Sequence, residues 1–274
     1  MSELPLVSIV IPTLNSAKTL EKCLNSVLNQ TYNKIEIIIV DAGSDDKTLI
    51  IGEKFGVRII NANIRNMAKQ TNIGALNSEG TYVYRLDSDI VLSPMVVEDC
   101  VKKCEFKNCD AIATYWGPDP SVSFWAKVRK LEKDCYKYDK DRNVARFYFK
   151  PVFDKIGGYN EDIVAGEDYD VQNRLISENY HICFAEFEGI HLGEPESIIQ
   201  IIKSNYNYGK TVKSFFKNHK YRGVKQMGPI RMPLLKNWKK FVKSPRLSFG
   251  FIFYYFIVYT STTFGIVRSM IWGF

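Results

Sequence analysis

Short, continuous apolar runs alternate with amphipathic helical segments through the first third of the chain, roughly every 25–30 residues, and that pattern restricts the fold severely. Val7–Ile11, stopped by Pro12, Ile35–Val40, Val57–Ile60 and Thr81–Leu86 are too apolar for half-exposed strands and suit strands covered on both faces. A helix is expected from an N-cap at Ser16 to about Gln30, with Leu20, Leu24, Val27 and Leu28 on one face. Further helices follow, one ending near Phe55 and one over Asn66–Asn77. This βαβ succession predicts an α/β fold with a doubly wound, mostly parallel sheet and right-handed crossovers. Ligands of such sheets sit at the carboxyl ends of the strands. The polar turns Pro12–Asn15, Asp41–Ser44 and Asp87–Asp89 each fall at such an end, so the three are expected to converge on one crevice.

Asp87 and Asp89 stand one residue apart at the end of a β-prone run. In an extended chain they point to the same side. Two hard oxygen donors there suit Mn²⁺ or Mg²⁺, which typically keeps one or two protein carboxylates and completes its shell with phosphate and water. A solvated turn fits the same residues. Beyond Pro94 the pattern continues with a helix to about Phe106, a strand over Ala111–Tyr115 and a charged, exposed helix over Ser123–Tyr138. Gly157–Glu161 and the acidic cluster Gly166–Asp170 follow. The cluster opens a helix, where carboxylates are also favoured simply as caps.

Charge divides the chain. Of 37 Lys and Arg, 13 lie in residues 203–246, which hold no Asp or Glu, while residues 1–202 carry a net charge of −7. A cationic block of this kind seeks phosphates, on a lipid surface, a lipid-linked phosphate or a nucleic acid. Residues 247–267 then contain no charge, bracketed by Arg246 and Arg268, and as a helix would span roughly 31 Å, about one hydrocarbon core. Ser261, Thr262 and Thr263 lower their apolarity, so a helix lying in the interface or packed on the protein remains open beside a membrane span. That uncharged neighbour argues against nucleic acid as partner of the basic block. The organisation expected is a domain over 1–202, a basic helical membrane-proximal extension over 203–246 and a membrane helix over 247–267. The six cysteines form no Cys-x-x-Cys and are expected to be reduced, buried thiols. The N-terminal Met-Ser-Glu-Leu-Pro has no signal-peptide pattern, so the first domain is expected to be cytoplasmic.

Taken in order, Val-Ser-Ile-Val-Ile-Pro-Thr-Leu-Asn (7–15), Ile-Ile-Ile-Val-Asp-Ala-Gly-Ser-Asp-Asp-Lys-Thr (37–48), Leu-Asp-Ser-Asp (86–89), Gly-Gly-Tyr-Asn-Glu (157–161) and Gly-Glu-Asp-Tyr-Asp (166–170) resemble the family 2 inverting glycosyltransferases of GT-A fold over about residues 5–195. The resemblance implies a nucleotide-diphospho-sugar donor and Mn²⁺ or Mg²⁺. It matches Pro12, Thr13 and Asn15 to the first nucleotide-binding turn and Asp41 to the carboxylate facing the base ring. Asp87, Ser88 and Asp89 match the DxD motif, with Asp89 on the metal and Asp87 nearer the ribose. In Glu167-Asp168, Asp168 matches the general base that takes the acceptor hydroxyl's proton. Lys69 and Asn72 fall near the donor-contacting stretch, and His191 matches a histidine near the metal or diphosphate. Arg85 departs from the pattern, because a neutral residue usually precedes the DxD.

A membrane-bound transferase suggests a lipid-linked saccharide whose hydroxyl accepts the sugar, with membrane lipids contacted through 203–267. A polyprenyl phosphate sugar synthase is the alternative. An ionised phosphate acceptor needs no base, so Gly-Glu-Asp favours the hydroxyl. A sugar-phosphate nucleotidyltransferase would need a Gly-rich, Arg-containing first loop, where this chain has Pro-Thr-Leu-Asn. A non-catalytic, membrane-tethered nucleotide-sugar-binding module would not require Asp41, Asp89 and Asp168 together. UDP is favoured as the donor nucleotide, from the fit of Asp41 to a uracil edge.

Overall fold

The first four apolar runs form β1 (Val7–Thr13), β2 (Ile35–Asp41), β3 (Arg58–Asn61) and β4 (Tyr82–Arg85). They lie parallel in the order β3-β2-β1-β4. Every residue of β1 is buried, as a continuous apolar run covered on both faces requires. Helices α1 (Leu20–Leu28), α2 (Thr48–Lys54) and α3 (Met67–Leu76) provide the crossovers. In this computed structural model residues 3–272 are described. The side chains of residues 220, 221 and 272 lie outside that set, as do the first two residues of the N-terminal stretch read for a signal peptide.

Beyond β4 come β5 (Ile90–Leu92), α4 (Val96–Lys107), β6 (Ala111–Ala113), β7 (Trp116–Pro118) and α5 (Phe124–Lys133). Next are β8 (Ala145–Phe149), α6 (Lys150–Lys155), α7 (Glu167–Ser177), β9 (Ile182–Phe184) and β10 (Gly189–His191). β8 joins β4 antiparallel, β6 joins β8 antiparallel and β9 runs parallel to β6, giving a seven-stranded sheet. β5 pairs antiparallel with β10, and that pairing sets His191 opposite Ile90. One apolar layer, with Ile9, Ile11, Leu24 and Tyr84, covers one face of the large sheet. A second, with Val10, Ile38, Val83 and Tyr148, covers the other.

The chain divides into two compact units that do not follow chain order. The first comprises Met1–Trp116, Val144–Glu161 and Asp170–His191 and holds the sheet. The second comprises Gly117–Asn143, Asp162–Tyr169 and Leu192–Phe274. Here α8 (Ile198–Thr211), α9 (Lys213–Asn218), α10 (Lys220–Met227), α11 (Met232–Lys236) and α12 (Trp238–Val242) precede the long α13 (Pro245–Trp272). Gly209 of α8 and Gly265 of α13 let the two helices touch backbone to backbone, since a Cβ at either would sit 2.2 Å from the other helix. Val128, Ile201, Tyr254 and Ile257 are the buried centre of this unit.

Several expectations are corrected. Ser16 caps no helix. Its carbonyl accepts the Thr19 and Leu20 amides in a preceding turn, and α1 begins at Leu20. The segment expected as an exposed helix over 123–138 is α5, which ends at Lys133, buries Ala126, Val128 and Glu132, and joins the second unit's core through Val128. The basic extension expected to be helical over 203–246 is helical but broken, with α8 and α9 meeting at Val212 and α9 ending at His219, and Val212 and Phe215 are buried. Cys109 and Cys183 are joined as a disulfide, and only Cys23, Cys100, Cys104 and Cys135 are free, all buried. Pairing across 74 residues follows from β6 and β9 lying side by side, which no sequence spacing announces.

Candidate active site

At the carboxyl end of β2, Asp41 is 1% exposed and accepts four hydrogen bonds. They come from Thr13 Oγ1 (2.8 Å), the Gly43 and Ser44 amides (2.9 and 2.8 Å) and Ser44 Oγ (2.6 Å). These use about all the acceptor capacity of a carboxylate. Asp41 thereby fixes the turn after β2 against the end of β1. Asn15, at φ 51°, accepts the Asp45 amide through Oδ1 (3.0 Å), while its own amide donates to Ser44 Oγ (2.9 Å). Asn tolerates this left-handed backbone better than most residues. The Ser16 amide donates to Thr48 Oγ1 (2.7 Å) and the Ala17 amide to Asp46 Oδ2 (3.1 Å). Ser88 Oγ reaches Ser16 Oγ at 2.8 Å. The three polar turns are thus brought together, at the point between β1 and β4 where the strand order reverses.

The Asp87–Asp89 segment is not extended. The Ile90 amide donates to the Asp87 carbonyl (3.1 Å) and closes a turn, so the two carboxylates take different partners. Asp89 Oδ2 lies 3.2 Å from His191 Nε2, a meeting made by the β5–β10 pairing. Asp87 Oδ1 lies 3.2 Å from Arg85 Nε. Arg85 is 3% exposed, and its guanidinium stands 5.0 Å from the centre of the Tyr159 ring. The departure from the motif therefore has a structural account: a buried cation links Asp87 to the Gly157–Glu161 loop. Sequence reasoning assigned Arg85 nothing, and the only signal available was a charge at the end of an otherwise buried strand.

The donor set at Asp89 and His191, one carboxylate oxygen and one imidazole nitrogen, fits a divalent ion that completes its shell with phosphate oxygens and water. Among the described residues the one trio of His, Cys or acidic side chains mutually within 4.8 Å is elsewhere, at Cys109, His181 and Cys183, and its two cysteines are joined as the disulfide.

Lys69 and Asn72 are held by the 157–161 loop. Asn72 Nδ2 donates to the Tyr159 carbonyl (2.8 Å) and to Glu161 Oε1 (3.1 Å), and its Oδ1 accepts the Tyr159 amide (2.8 Å). Lys69 Nζ lies 3.5 Å from Glu161 Oε2. Arg174, paired with the buried Asp170 (2.8 Å), donates to the Ile156 carbonyl and to that of Gly158 (2.6 Å). Asp170 therefore serves to fasten the same loop.

Glu167 and Asp168 belong to the second unit, at the first turn of α7, both half-buried. The Tyr169 amide donates to Asp168 Oδ1 (2.8 Å). The preceding Gly166, at φ +90°, packs where a Cβ would lie 2.8 Å from Met227 Cε and 3.0 Å from the Phe215 ring. That close approach sets where the helix starts.

A family model described as "Glycosyl transferase family 2" matches residues 8–160, more than half of the chain. The chain belongs to glycosyl transferase family 2. Its sheet is that of the GT-A fold, and solved structures share it. Staphylococcus aureus TarS aligns at 17% identity with a TM-score of 0.56, over 96% of this chain and 55% of that one. The mannosyltransferase PcManGT of Pyrobaculum calidifontis, solved with GDP-Man and Mn²⁺, aligns at 14% identity with a TM-score of 0.61, over 100% of this chain and 77% of that one. Among curated family 2 relatives, the Escherichia coli chondroitin synthase is 26% identical over 84% of this chain, which spans 36% of that protein. The Pasteurella multocida hyaluronan synthase is 38% identical over 64% of the chain, which spans 19% of that protein. The chain thus covers a minor part of these synthases.

Proposed function

We propose that this family 2 protein is a metal-dependent inverting glycosyltransferase that moves a sugar from a nucleotide-diphospho-sugar to a hydroxyl of a membrane-associated, lipid-linked saccharide. The observation that carries the reading is the meeting of Asp89 and His191 beside the stitched turns at the carboxyl end of the parallel strands. In this reading Thr13 and Asn15 lie against the nucleoside on a turn that Asp41 fixes from beneath, with UDP the favoured donor nucleotide. Pro12 shapes the first turn, and Lys69 and Asn72 stay near the donor while bracing the 157–161 loop. Asp87 and Ser88 face the ribose and diphosphate, with Asp87 held by Arg85. Asp89 and His191 would hold Mn²⁺ or Mg²⁺, which would supply positive charge for the diphosphate leaving group. Asp168, supported by Glu167, takes the proton of the acceptor hydroxyl as its oxygen attacks the anomeric carbon. The bond from that carbon to the diphosphate breaks on the opposite face, which inverts the configuration. Support for the donor and the metal comes from the relatives: TarS has been solved with UDP-GlcNAc and PcManGT with GDP-Man and Mn²⁺.

Membrane association is supported by α13. It is the one described helix long and apolar enough to cross a membrane, and only 22% of its most apolar window is buried. One side packs through Tyr254, Ile257 and Ser261, while Phe249, Ile252, Phe253, Phe256, Phe264 and Val267 remain exposed. Lys236, Lys239, Lys240 and Lys243 directly precede it and would meet lipid phosphates, and by the positive-inside rule they support a cytoplasmic catalytic part.

The deciding experiment follows nucleotide release from UDP- and GDP-sugars with Mn²⁺ or Mg²⁺, by the full chain in nanodiscs. Release that requires one donor, the metal and a glycolipid from a membrane extract is expected. Release driven by bare polyprenyl phosphate would replace the hydroxyl acceptor and demote Asp168. No turnover with any donor would leave a binding module.

A further inference from the structure

A cavity of about 420 Å³ lies within the second unit, and of the motifs that identify the family only the 166–170 segment reaches it, through Tyr169. This volume is in the range of small-molecule sites. Its wall is of two kinds. α13 contributes Val258, Thr262, Thr263 and Ile266, and neighbouring segments add Val212, Phe216 and Met227. The rest is cationic, with Arg129, Lys133, Arg142 and Arg231, and no carboxylate lines the cavity.

Two of the cations are already balanced. Arg129 Nη1 lies 2.5 Å from Glu194, and Arg231 is paired with Glu132. Arg142 is different. No Asp or Glu pairs with it among the described residues, and its Nε is shielded from solvent without a hydrogen-bond partner. Its guanidinium stands over two rings, Tyr136 at 4.9 Å and Tyr169 at 5.8 Å, which hold it in place and supply no anion. The guanidinium fork matches the paired oxygens of a phosphate or a carboxylate.

The cavity also adjoins the residue proposed as base. Tyr169, next to Asp168, lines it. So does Tyr208, whose phenol is raised above its ordinary range by burial and then by the charges of Tyr169, Asp168 and Glu167. The polar break in α13 borders this chamber, with Thr262 and Thr263 in its wall.

We infer that this cavity binds an amphiphile carrying a phosphate ester, with the phosphate on Arg142 and the apolar chain along α13. This deepens the proposed function, on which its role as acceptor site rests, by naming the anionic, chain-bearing end of the acceptor as the part held here. The same chemistry is offered by a bilayer phospholipid headgroup, and the test separates the two sources.

The full chain in an uncharged detergent is photolabelled with a benzophenone-tagged farnesyl phosphate, and the labelled peptides are identified by mass spectrometry. Label is expected on the α13 stretch 258–266 and on α8 near Tyr208. Farnesyl phosphate should compete, and farnesol and inorganic phosphate should not. Losing a charge-assisted contact to phosphate, Arg142→Gln should weaken competition roughly ten- to hundredfold, and Arg142→Lys should recover part of it. Circular dichroism and the urea midpoint establish that both variants fold. Competition by farnesyl phosphate but not by phosphatidic acid assigns the site to an acceptor. Equal competition by both supports phosphate recognition but overturns the acceptor assignment. Labelling indifferent to Arg142→Gln, or competed equally by farnesol, overturns the inference. The donor reading is scored separately by metal-dependent UDP binding to the same variants. Intact donor binding with failed labelling removes the cavity alone, and Arg142-dependent labelling without donor binding removes the transferase reading alone.

Discussion

Replacing Gly158 by alanine adds a methyl group at φ +63°, 2.6 Å from Asn72 Oδ1. The left-handed backbone alone costs about 1–2 kcal/mol for an L-residue. Asn72 must also turn away and give up its bond from the Tyr159 amide, which together with disturbed Nδ2 bonds adds about 1–2 kcal/mol. Gly157→Ala is the internal control, since Gly157 also has positive φ, +78°, but a Cβ there meets nothing within 4 Å. Gly158→Ala should therefore cost about 1–2 kcal/mol more than Gly157→Ala. With a urea m-value of about 2 kcal/mol/M, its midpoint falls roughly 0.5–1 M below that of the control. Equilibrium unfolding followed by far-UV circular dichroism measures both. In the double variant Gly158→Ala with Asn72→Ala, the two costs should overlap rather than add, because they remove one shared contact. Equal midpoints for the two alanine variants, or full additivity in the double variant, would refute the view that Asn72 holds this loop.

Asp89→Asn and His191→Ala should each weaken Mn²⁺ binding in the presence of UDP by at least tenfold in calorimetric titration; unchanged affinity in both would remove the metal from this pair. Asp168→Asn should abolish transfer almost completely while leaving UDP binding intact, and substantial residual transfer would end its role as base. Burial raises the Asp46 carboxyl, but hydrogen bonds from Thr48 and Ala17 outweigh it and hold the pKa below 3.8. Its stabilisation is then present above the unfolded value and is lost as the pH falls through the lower folded value. Thermal midpoints of the native chain should drop more steeply below about pH 4 than those of Asp46→Asn, and parallel curves would contradict this. Thiol titration of the denatured chain should find four free thiols without reductant and six with it, and Cys109→Ser should lower oxidised stability by roughly 2–4 kcal/mol with little effect under reduction.

What could be read from the sequence was periodic and local. Apolar runs such as Val7–Ile11 and Ile35–Val40 specify buried parallel strands because hydrophobicity repeats over a few residues. The turns at Asn15, Asp41 and Asp87 were placed correctly at strand ends for the same reason. The reading faltered where local geometry was assumed. Asp87 and Asp89 were read as an extended pair, but one hydrogen bond, from Ile90 to Asp87, folds the segment into a turn and the two carboxylates take different partners. Lys69 and Asn72 were near the expected stretch, but their partners lie about ninety residues away, at Tyr159 and Glu161.

The sequence by itself determined the sheet, its family and the position of a long apolar C-terminal helix, because those depend on residue pattern along the chain. Only the tertiary structure decided what Arg85 is for, that Cys109 meets Cys183, that α13 buries one side against α8 and α5, and that Arg142 overlooks a chamber without an anion. Each of these depends on which distant segments are brought within a few ångströms. That is set by packing the whole fold at near-crystalline density, and no window of sequence contains it.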